Sequence, residues 1–279
     1  MKHATLLLSD QTPLSYRTYG NHQLPALLLV HGAACNSTFF DETANILSQD
    51  FYVITYDRRG YGKSVPCKNN IKRTTSSDYF SRQAEDIVEL LTHLNVSKVI
   101  LLGCSCGSLV SMYASSTHPK LFSMTILHES PATSIQPYDE MVIKKYDQIS
   151  QLLSKKNVDR ALDIFLLQMM PENPSYAKPL TDEEMDLFFD DCYYFIENEF
   201  LHAFDSQLIL PPKKEVQSAN IILLIGNESI QTSRYNETQK ISTRYQLPVI
   251  QISGSHNAAR DLPEAFANDV ISIIKNECH

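Results

Sequence analysis

The stretch LLGCSCGSLV brings together three side chains that could act as nucleophiles, namely Cys104, Ser105 and Cys106. A nucleophile on a sharp turn between a strand and a helix needs small residues two positions before and two positions after it, because larger Cβ atoms would collide there. Only Ser105 meets this condition, since Gly103 and Gly107 flank it at those positions. The spacing therefore predicts Ser105 as the nucleophile.

The two cysteines of this stretch form a C-x-C pair that could be half of a metal site. A structural zinc site needs further ligands at a matching spacing, and the remaining cysteines are dispersed without a second close pair. In a chain of 279 residues, six cysteines spread in this way are expected to be reduced and buried. The sequence therefore predicts no metal and no other cofactor.

A serine hydroxyl needs a base to become a nucleophile, and that base is usually a histidine. Of the nine histidines, His256 is the strongest candidate, because SGSHNAARDLPEAF places it after the last predicted strand and before the last predicted helix. His31 begins a loop motif and His128 ends a strand, and structural roles are expected for both. The sequence predicts His256 as the general base.

The oxyanion that forms when a serine attacks a carbonyl needs two fixed backbone N–H donors. One is predicted at Cys106, directly after the nucleophile. The second is predicted at Ala33, in the loop HGAACNS, where small side chains let the backbone approach a ligand. Because backbone groups act here, alanine and cysteine side chains are compatible with the role.

Short apolar runs alternate with longer helical patterns along most of the chain, which is typical of a mostly parallel sheet with helices on both faces. The predicted strands are ATLLLS, LSYRTYG, ALLLV, FYVITYD, KVILLG, SMTILHE, NIILLIG and PVIQISG. Helices are predicted over 41–48, 81–94, 108–116, 232–245 and 262–274. The pattern predicts an α/β core domain formed by residues 1–130 and 206–279.

Residues 131–205 interrupt this alternation, because they contain no strand pattern. A helical lid is predicted there, and Thr181 and Glu184 have the spacing of a capping box at the start of its third helix. The three lid helices are predicted over 137–155, 157–170 and 181–205. The aromatic side chains of the third helix are expected mainly to pack the lid onto the core, with a few lining an apolar substrate pocket: Phe188, Phe189, Tyr193, Tyr194, Phe195, Phe200 and Phe204.

Four motifs follow one another along the chain: HG at His31, DRRGYGKS from Asp57, GCSCGS from Gly103 and GSHNAARDLP from Gly254. In this order they resemble the α/β-hydrolase superfamily over nearly the whole length. The resemblance implies an eight-stranded, mostly parallel sheet, a Ser-His-acid triad, and an inserted helical lid after the sixth strand. It also implies a structural role for DRRGYGKS, in which Arg59 bridges loops.

The acid is where this chain departs from the family pattern, which usually has an aspartate three residues beyond the glycine that ends the seventh strand. That position holds Ser229 here, and Glu228 lies one residue earlier. The sixth strand offers Glu129 instead, and haloalkane dehalogenases and some epoxide hydrolases of the superfamily have an acid at this point. We predict Glu129 as the acid, with Glu228 as the alternative. His128 is expected to face the opposite side of the strand from Glu129.

These residues predict a serine hydrolase that cleaves a small carboxylic ester, or a related acyl substrate with an apolar acyl portion, through an acyl-enzyme. Two alternatives stay open. One is an iminopeptidase or another amide or C–C hydrolase, and the other is a slow or non-catalytic ligand-binding protein of the same fold. An iminopeptidase usually needs an acidic group for the substrate amine, and the lid offers several: Glu172, Asp190, Asp191 and Glu197.

The formal net charge of -8 lacks the basic field of a nucleic-acid-binding protein, so no nucleic-acid partner is expected. No segment approaches the roughly 18 apolar residues of a membrane span. The three leucines near the start are too short a run for a secretion signal. A cytoplasmic location without membrane contact is therefore expected.

Overall fold

A central sheet of eight strands organises the protein in a computed structural model that describes residues 1–65, 75–137, 140–168 and 179–277. The strands are β1 (Lys2–Leu7), β2 (Pro13–Tyr19), β3 (Ala26–Val30), β4 (Tyr52–Tyr56), β5 (Val99–Cys104), β6 (Phe122–His128), β7 (Ile221–Gly226) and β8 (Val249–Ile252). They lie in the order β1-β2-β4-β3-β5-β6-β7-β8. The pairs β1–β2 and β2–β4 are antiparallel. All the other neighbouring pairs in this order are parallel. The mostly parallel eight-stranded sheet is thus confirmed.

Helices connect most of these strands and cover the sheet. In the described ranges they are α1 (Asp41–Leu47), α2 (Ser76–His93), α3 (Cys106–Thr117), α4 (Glu140–Ser154), α5 (Val158–Gln168), α6 (Asp182–Tyr194), α7 (Phe200–Ala203), α8 (Lys213–Ser218), α9 (Ser233–Tyr245), α10 (Ala258–Asp261) and α11 (Pro263–Glu277). None of the helices that the structure describes is both long enough and apolar enough to cross a bilayer.

The sheet is buried on both faces, which explains why its central strands are continuous apolar runs rather than alternating patterns. Along β3, Leu28 and Val30 join the apolar cluster on one face, together with side chains of α2, α3 and the segment from α4 to α7. Leu27 and Leu29 join the cluster on the other face, together with side chains of α1 and α11. Successive side chains of a strand point to opposite faces, so each apolar run contributes to two cores.

Two differences between the observed and the predicted helices have a clear structural basis. α2 begins at Ser76 rather than at residue 81, because the Thr75 hydroxyl accepts a hydrogen bond from the Asp78 backbone and caps the helix earlier. The third lid helix is not continuous, since a π-helical turn at Phe195–Glu199 separates α6 from α7.

Helices α4 to α7 follow β6 and precede α8 in the chain, in the interval for which the lid is predicted. The capping box at the start of α6 is confirmed, because Thr181 and Glu184 exchange the side chain–backbone hydrogen bonds that define it. The predicted end of the second lid helix at Met170 lies outside the described residues, as does Glu172.

Candidate active site

Ser105 lies at the turn between β5 and α3 with φ 53° and ψ -126°. A positive φ is strained for a residue with a Cβ, and such strain persists only where the surroundings hold the backbone in place. Here the Ser105 N–H donates to the His128 carbonyl at 2.9 Å, which ties the turn to the end of β6. The turn directs the serine away from the strand, as a nucleophile elbow does.

The two glycines that flank Ser105 are required by close backbone contacts. A Cβ on Gly107 would overlap the carbonyl oxygens of Val30 and His31 at the end of β3. A Cβ on Gly103 would overlap the carbonyl of Gly107 itself. The structure therefore supplies the steric reason for the G-x-S-x-G spacing, and α3 can begin immediately after the serine.

His256 and Glu129, separated by 127 positions in the chain, form a direct hydrogen bond. Nδ1 of His256 lies 2.7 Å from Oε2 of Glu129, and the other carboxylate oxygen accepts from the Gly226 N–H at 3.0 Å. Glu129 is fully buried, which disfavours its charge, but hydrogen bonds from His256 and Ser229 hold the pKa of its carboxyl well below the usual range. The imidazole thus donates from Nδ1 to an ionised acid.

Glu129 reaches the histidine because the backbone changes conformation where β6 ends. Its φ is 50°, in the left-handed region, and its N–H donates to the Leu224 carbonyl of β7 at 3.2 Å. This change also overturns the expectation that His128 faces the opposite side from Glu129. Nε2 of His128 lies 3.6 Å from Oε1 of Glu129, because strand alternation stops at the left-handed residue. Burial lowers the pKa of His128 to about 4, so its ring is neutral at pH 7.

The alternative acid, Glu228, occupies a different environment. It lies in a short 3₁₀ turn (Asn227–Ser229) after β7, its side chain is exposed, and its N–H donates to the Gly254 carbonyl at 3.0 Å. Because the Nδ1 atom of His256 is hydrogen-bonded to Glu129, the geometry favours Glu129 over Glu228 as the partner of the histidine.

The two predicted oxyanion donors lie on either side of the serine. Cys106 opens α3, where N–H groups have no acceptor within the helix. The loop that contains Ala33 passes close to Ser105, since a Cβ added to Gly32 would lie 3.0 Å from the Ser105 Cβ. Both Ala33 and Cys106 line the same cavity as Ser105. Their roles as donors remain predictions that this placement permits.

A cavity of about 140 Å³ joins these groups under the helices that follow β6. Ser105 and His256 line this cavity. Apolar surface comes from Val142 of α4, Phe165 of α5 and Phe195 of the π-helical turn. A cavity of roughly 150 Å³ is known to accommodate benzene. The space therefore suits a small acyl group.

The surroundings of His256 favour its neutral form. Burial and the nearby positive charge of Arg234 lower the pKa of His256, while Glu129 opposes them. In the described part of the chain, no hydrogen bond joins Ser105 to His256, and catalytic contacts of this kind often tighten only when substrate is bound.

Comparisons with known proteins agree with this geometry. A sequence profile described as alpha/beta hydrolase fold matches residues 25–170, more than half of the chain. The chain belongs to the α/β-hydrolase fold family. It is thus a hydrolase by family.

Two relatives and one solved structure show how far the similarity extends. The uncharacterized hydrolase YraK of Bacillus subtilis (strain 168) is 20% identical over 256 residues, which cover 91% of this chain and 90% of YraK. The 3-oxoadipate enol-lactonase 2 of Acinetobacter baylyi is 25% identical over 127 residues, which cover 45% of each protein, less than half of the enol-lactonase. A carboxylesterase structure from Nitrososphaera gargenis has a TM-score of 0.69 at 17% identity and covers 98% of both chains.

A buried ion pair connects the core of this α/β-hydrolase to the π-helical turn, and sequence reasoning missed it. Both Arg58 and Glu199 have fully buried side chains, with contacts of 2.8 Å from Nη1 to Oε2 and 3.0 Å from Nη2 to Oε1. Arg58 also donates to the carbonyls of His31 and Gly32 at 2.9 and 2.8 Å. Its neighbour Arg59 bridges Asp10 and α2, as the family resemblance implies. No local pattern identifies the partner of Arg58, because Glu199 is 141 positions away.

The acidic residues considered for an amine site do not line the Ser105 cavity in the described part of the chain. Asp191 is buried and accepts from Asn36 Nδ2 at 2.7 Å and from the Gly62 N–H at 2.8 Å. Burial raises the pKa of Asp191 to about 6 despite these bonds. Asp190 and Glu197 are both exposed. The iminopeptidase alternative gains no support from this arrangement.

Cysteine side chains lie beside the serine without an environment that would activate them. Burial raises the pKa of both the Cys104 and the Cys106 thiol well above the ordinary value, so both are thiols rather than thiolates. Across the described ranges, no group of three or more His, Cys, Asp or Glu side chains is arranged to hold a metal ion.

Proposed function

We propose that this α/β-hydrolase is a serine hydrolase that cleaves small carboxylic esters through an acyl-enzyme intermediate. The observation that carries the proposal is the 2.7 Å contact between His256 Nδ1 and Glu129 Oε2, in the same small cavity as the strained Ser105. The carboxylate fixes the tautomer in which Nε2 is free to accept the serine proton. Similarity to a carboxylesterase structure and to an enol-lactonase is consistent with a carboxylic ester or lactone as substrate.

In the first half of the reaction, Ser105 Oγ forms a bond to the ester carbonyl carbon while its proton moves to Nε2 of His256. The N–H groups of Ala33 and Cys106 hold the negative oxygen of the tetrahedral intermediate. Collapse of this intermediate breaks the bond to the alcohol oxygen, which takes the proton from His256. Glu129 stabilises the imidazolium throughout, because it remains ionised beside Nδ1.

In the second half, a water molecule transfers a proton to His256 and attacks the acyl carbon. The bond to Ser105 Oγ then breaks, and the proton returns to the serine. The products are a carboxylic acid and an alcohol. The acyl chain packs against the apolar surface of Phe165 and Phe195. Because the cavity is small, only small substrates are expected to fit.

Substitution of Ser105 tests this proposal. We expect Ser105→Ala to abolish covalent labelling by a fluorophosphonate probe and to lower the rate of p-nitrophenyl acetate hydrolysis by about 10³-fold or more. Labelling and hydrolysis are measured on the same preparation, with circular dichroism to verify folding.

Cys104→Ala is the matched control, because it removes a neighbouring side chain that the proposal leaves without a chemical role. It should retain fluorophosphonate labelling. If the unmodified protein neither reacts with the probe nor hydrolyses any ester of a short-chain panel, the hydrolase proposal is wrong and a ligand-binding role takes its place.

A further inference from the structure

The cavity that contains Ser105 is not lined by apolar and catalytic groups alone. Arg234 and Glu237 reach it from the first two turns of α9. A site for a neutral ester needs apolar surface and oxyanion donors, and it gains nothing from a guanidinium. The presence of Arg234 in the cavity is therefore a feature that the proposed reaction does not explain.

Arg234 is placed to bind a group in the cavity. Its side chain is 18% exposed and pairs with Glu237, one turn later on α9, through a single contact of 3.2 Å from Nη1 to Oε2. Within the part of the chain that the structure describes, this is the side-chain hydrogen bond that the guanidinium donates. A guanidinium carries five donors in a planar fork that fits a carboxylate with two parallel bonds. Donors of Arg234 therefore remain for a ligand.

Arg234 lines the same cavity as Ser105 and His256. Burial lowers the pKa of His256, and the positive charge of Arg234 acts in the same direction. A substrate anion at Arg234 would thus lie within the same cavity as the scissile bond rather than on the outer surface.

We propose that Arg234 binds a carboxylate on the substrate, so that the preferred substrates are short esters that carry a second, ionised acid group. The inference rests on the proposed esterase function and names its substrate class. Glu237 acts as an internal substitute for the substrate anion, because it holds the guanidinium when the cavity is free of ligand. The small cavity limits the chain between carboxylate and ester to a few carbons.

Matched pairs of charged and neutral esters test this inference. In the acyl arm, mono-p-nitrophenyl glutarate is compared with p-nitrophenyl valerate. In the alcohol arm, O-butyryl glycolate is compared with propyl butyrate. We expect the unmodified protein to show a kcat/KM for the charged ester at least about tenfold above that for the neutral ester in one of the two arms.

Substitutions on α9 should change this ratio in opposite directions. Arg234→Gln should lower it by about tenfold or more, because the charge-assisted hydrogen bonds to the carboxylate are lost. Glu237→Gln should raise it, because the competing carboxylate is removed while its shape is kept. Arg244→Gln is the control, since this residue lies on the same helix against Tyr245 and outside the cavity, and it should leave the ratio unchanged.

The outcomes separate the two proposals. A protein that hydrolyses neutral esters and reacts with the fluorophosphonate, but shows no charged-ester preference in either arm, overturns the anion site and leaves the esterase function intact. A preference that persists unchanged in both Arg234→Gln and Glu237→Gln also overturns it. Absence of any hydrolysis and labelling contradicts the esterase function itself. If Arg234→Gln does not fold, the predicted rise in Glu237→Gln decides the question.

Discussion

β6 and β7 are neighbours in the sheet, and a glutamate follows the end of each strand. The backbone takes a different conformation at the two ends. At the end of β6 the backbone enters the left-handed region and carries Glu129 into the interior, where it contacts His256. At the end of β7 the chain forms a 3₁₀ turn that leaves Glu228 exposed to solvent. The same side chain is therefore a buried hydrogen-bond partner in one place and a surface charge in the other, and backbone conformation makes the difference.

The two ends also cooperate across the position where the family usually has its aspartate. Ser229, three residues beyond Gly226, is buried, and together with His256 it lowers the pKa of the Glu129 carboxyl. The Gly226 N–H donates to the same carboxylate. β7 thus supplies donors to an acid that β6 supplies, whereas the family pattern places the acid itself on β7.

Removal of the buried acid should have the largest effect. We expect Glu129→Gln to lower kcat for p-nitrophenyl acetate by about 10³- to 10⁴-fold, because an amide cannot hold the useful imidazole tautomer or stabilise its charge. Steady-state kinetics and active-site titration with the fluorophosphonate measure this. A variant that keeps more than half of the activity would show that the acid lies elsewhere.

Transfer of the acid from β6 to β7 should recover part of that loss. In the double variant Glu129→Gln with Ser229→Asp, we expect about a tenfold or greater gain in kcat over Glu129→Gln alone, since contacting residues are energetically coupled. Ser229→Asp by itself is the control and should not gain activity, because two carboxylates would then compete for one histidine. No recovery in the double variant would show that only the β6 end provides the required geometry.

The pH dependence should report the electrostatic contribution of Glu129. The base form of His256 is neutral, and its pKa is lowered by burial and Arg234, so kcat/KM should rise with pH through a midpoint below the ordinary histidine value of about 6.5. Glu129 opposes this lowering, so Glu129→Gln should move the midpoint to lower pH by roughly one unit. A shift to higher pH, measured on the residual rate, would contradict this reasoning.

Removal of the exposed glutamate should have the smallest effect. Glu228→Gln is expected to change kcat and KM by less than about twofold, because an exposed side chain contributes little at the distance of the cavity. The same kinetic assay and thermal unfolding apply. A loss comparable to that of Glu129→Gln would reverse the assignment of the two strand ends.

The sequence contains enough information for the features that depend on local geometry. Gly103 and Gly107 predict the sharp turn at Ser105 because it depends on steric fit within five residues, and the buried strands are recognisable as uninterrupted apolar runs. The position of His256 follows from the alternation of strands and helices. Each of these inferences uses residues that are close together in the chain.

The features that escaped prediction depend on contacts between distant segments. The left-handed backbone at Glu129 was not predicted, and because of it strand alternation gave the wrong side for His128. The pairing of Arg58 with Glu199 joins segments 141 positions apart. Arg234 reaches the cavity from α9, and no spacing rule connects this helix to Ser105.

The pairing of Arg58 with Glu199 has a consequence for how the protein can move. The guanidinium holds the peptide carbonyls of His31 and Gly32, directly before Ala33, and the π-helical turn through one rigid planar group. Separating that turn from the core would leave two opposite charges unpaired in a buried site, at a cost of about 3–5 kcal/mol. The π-helical turn is therefore fixed against the core, and a disturbance at Glu199 would tilt the peptide planes beside Ser105.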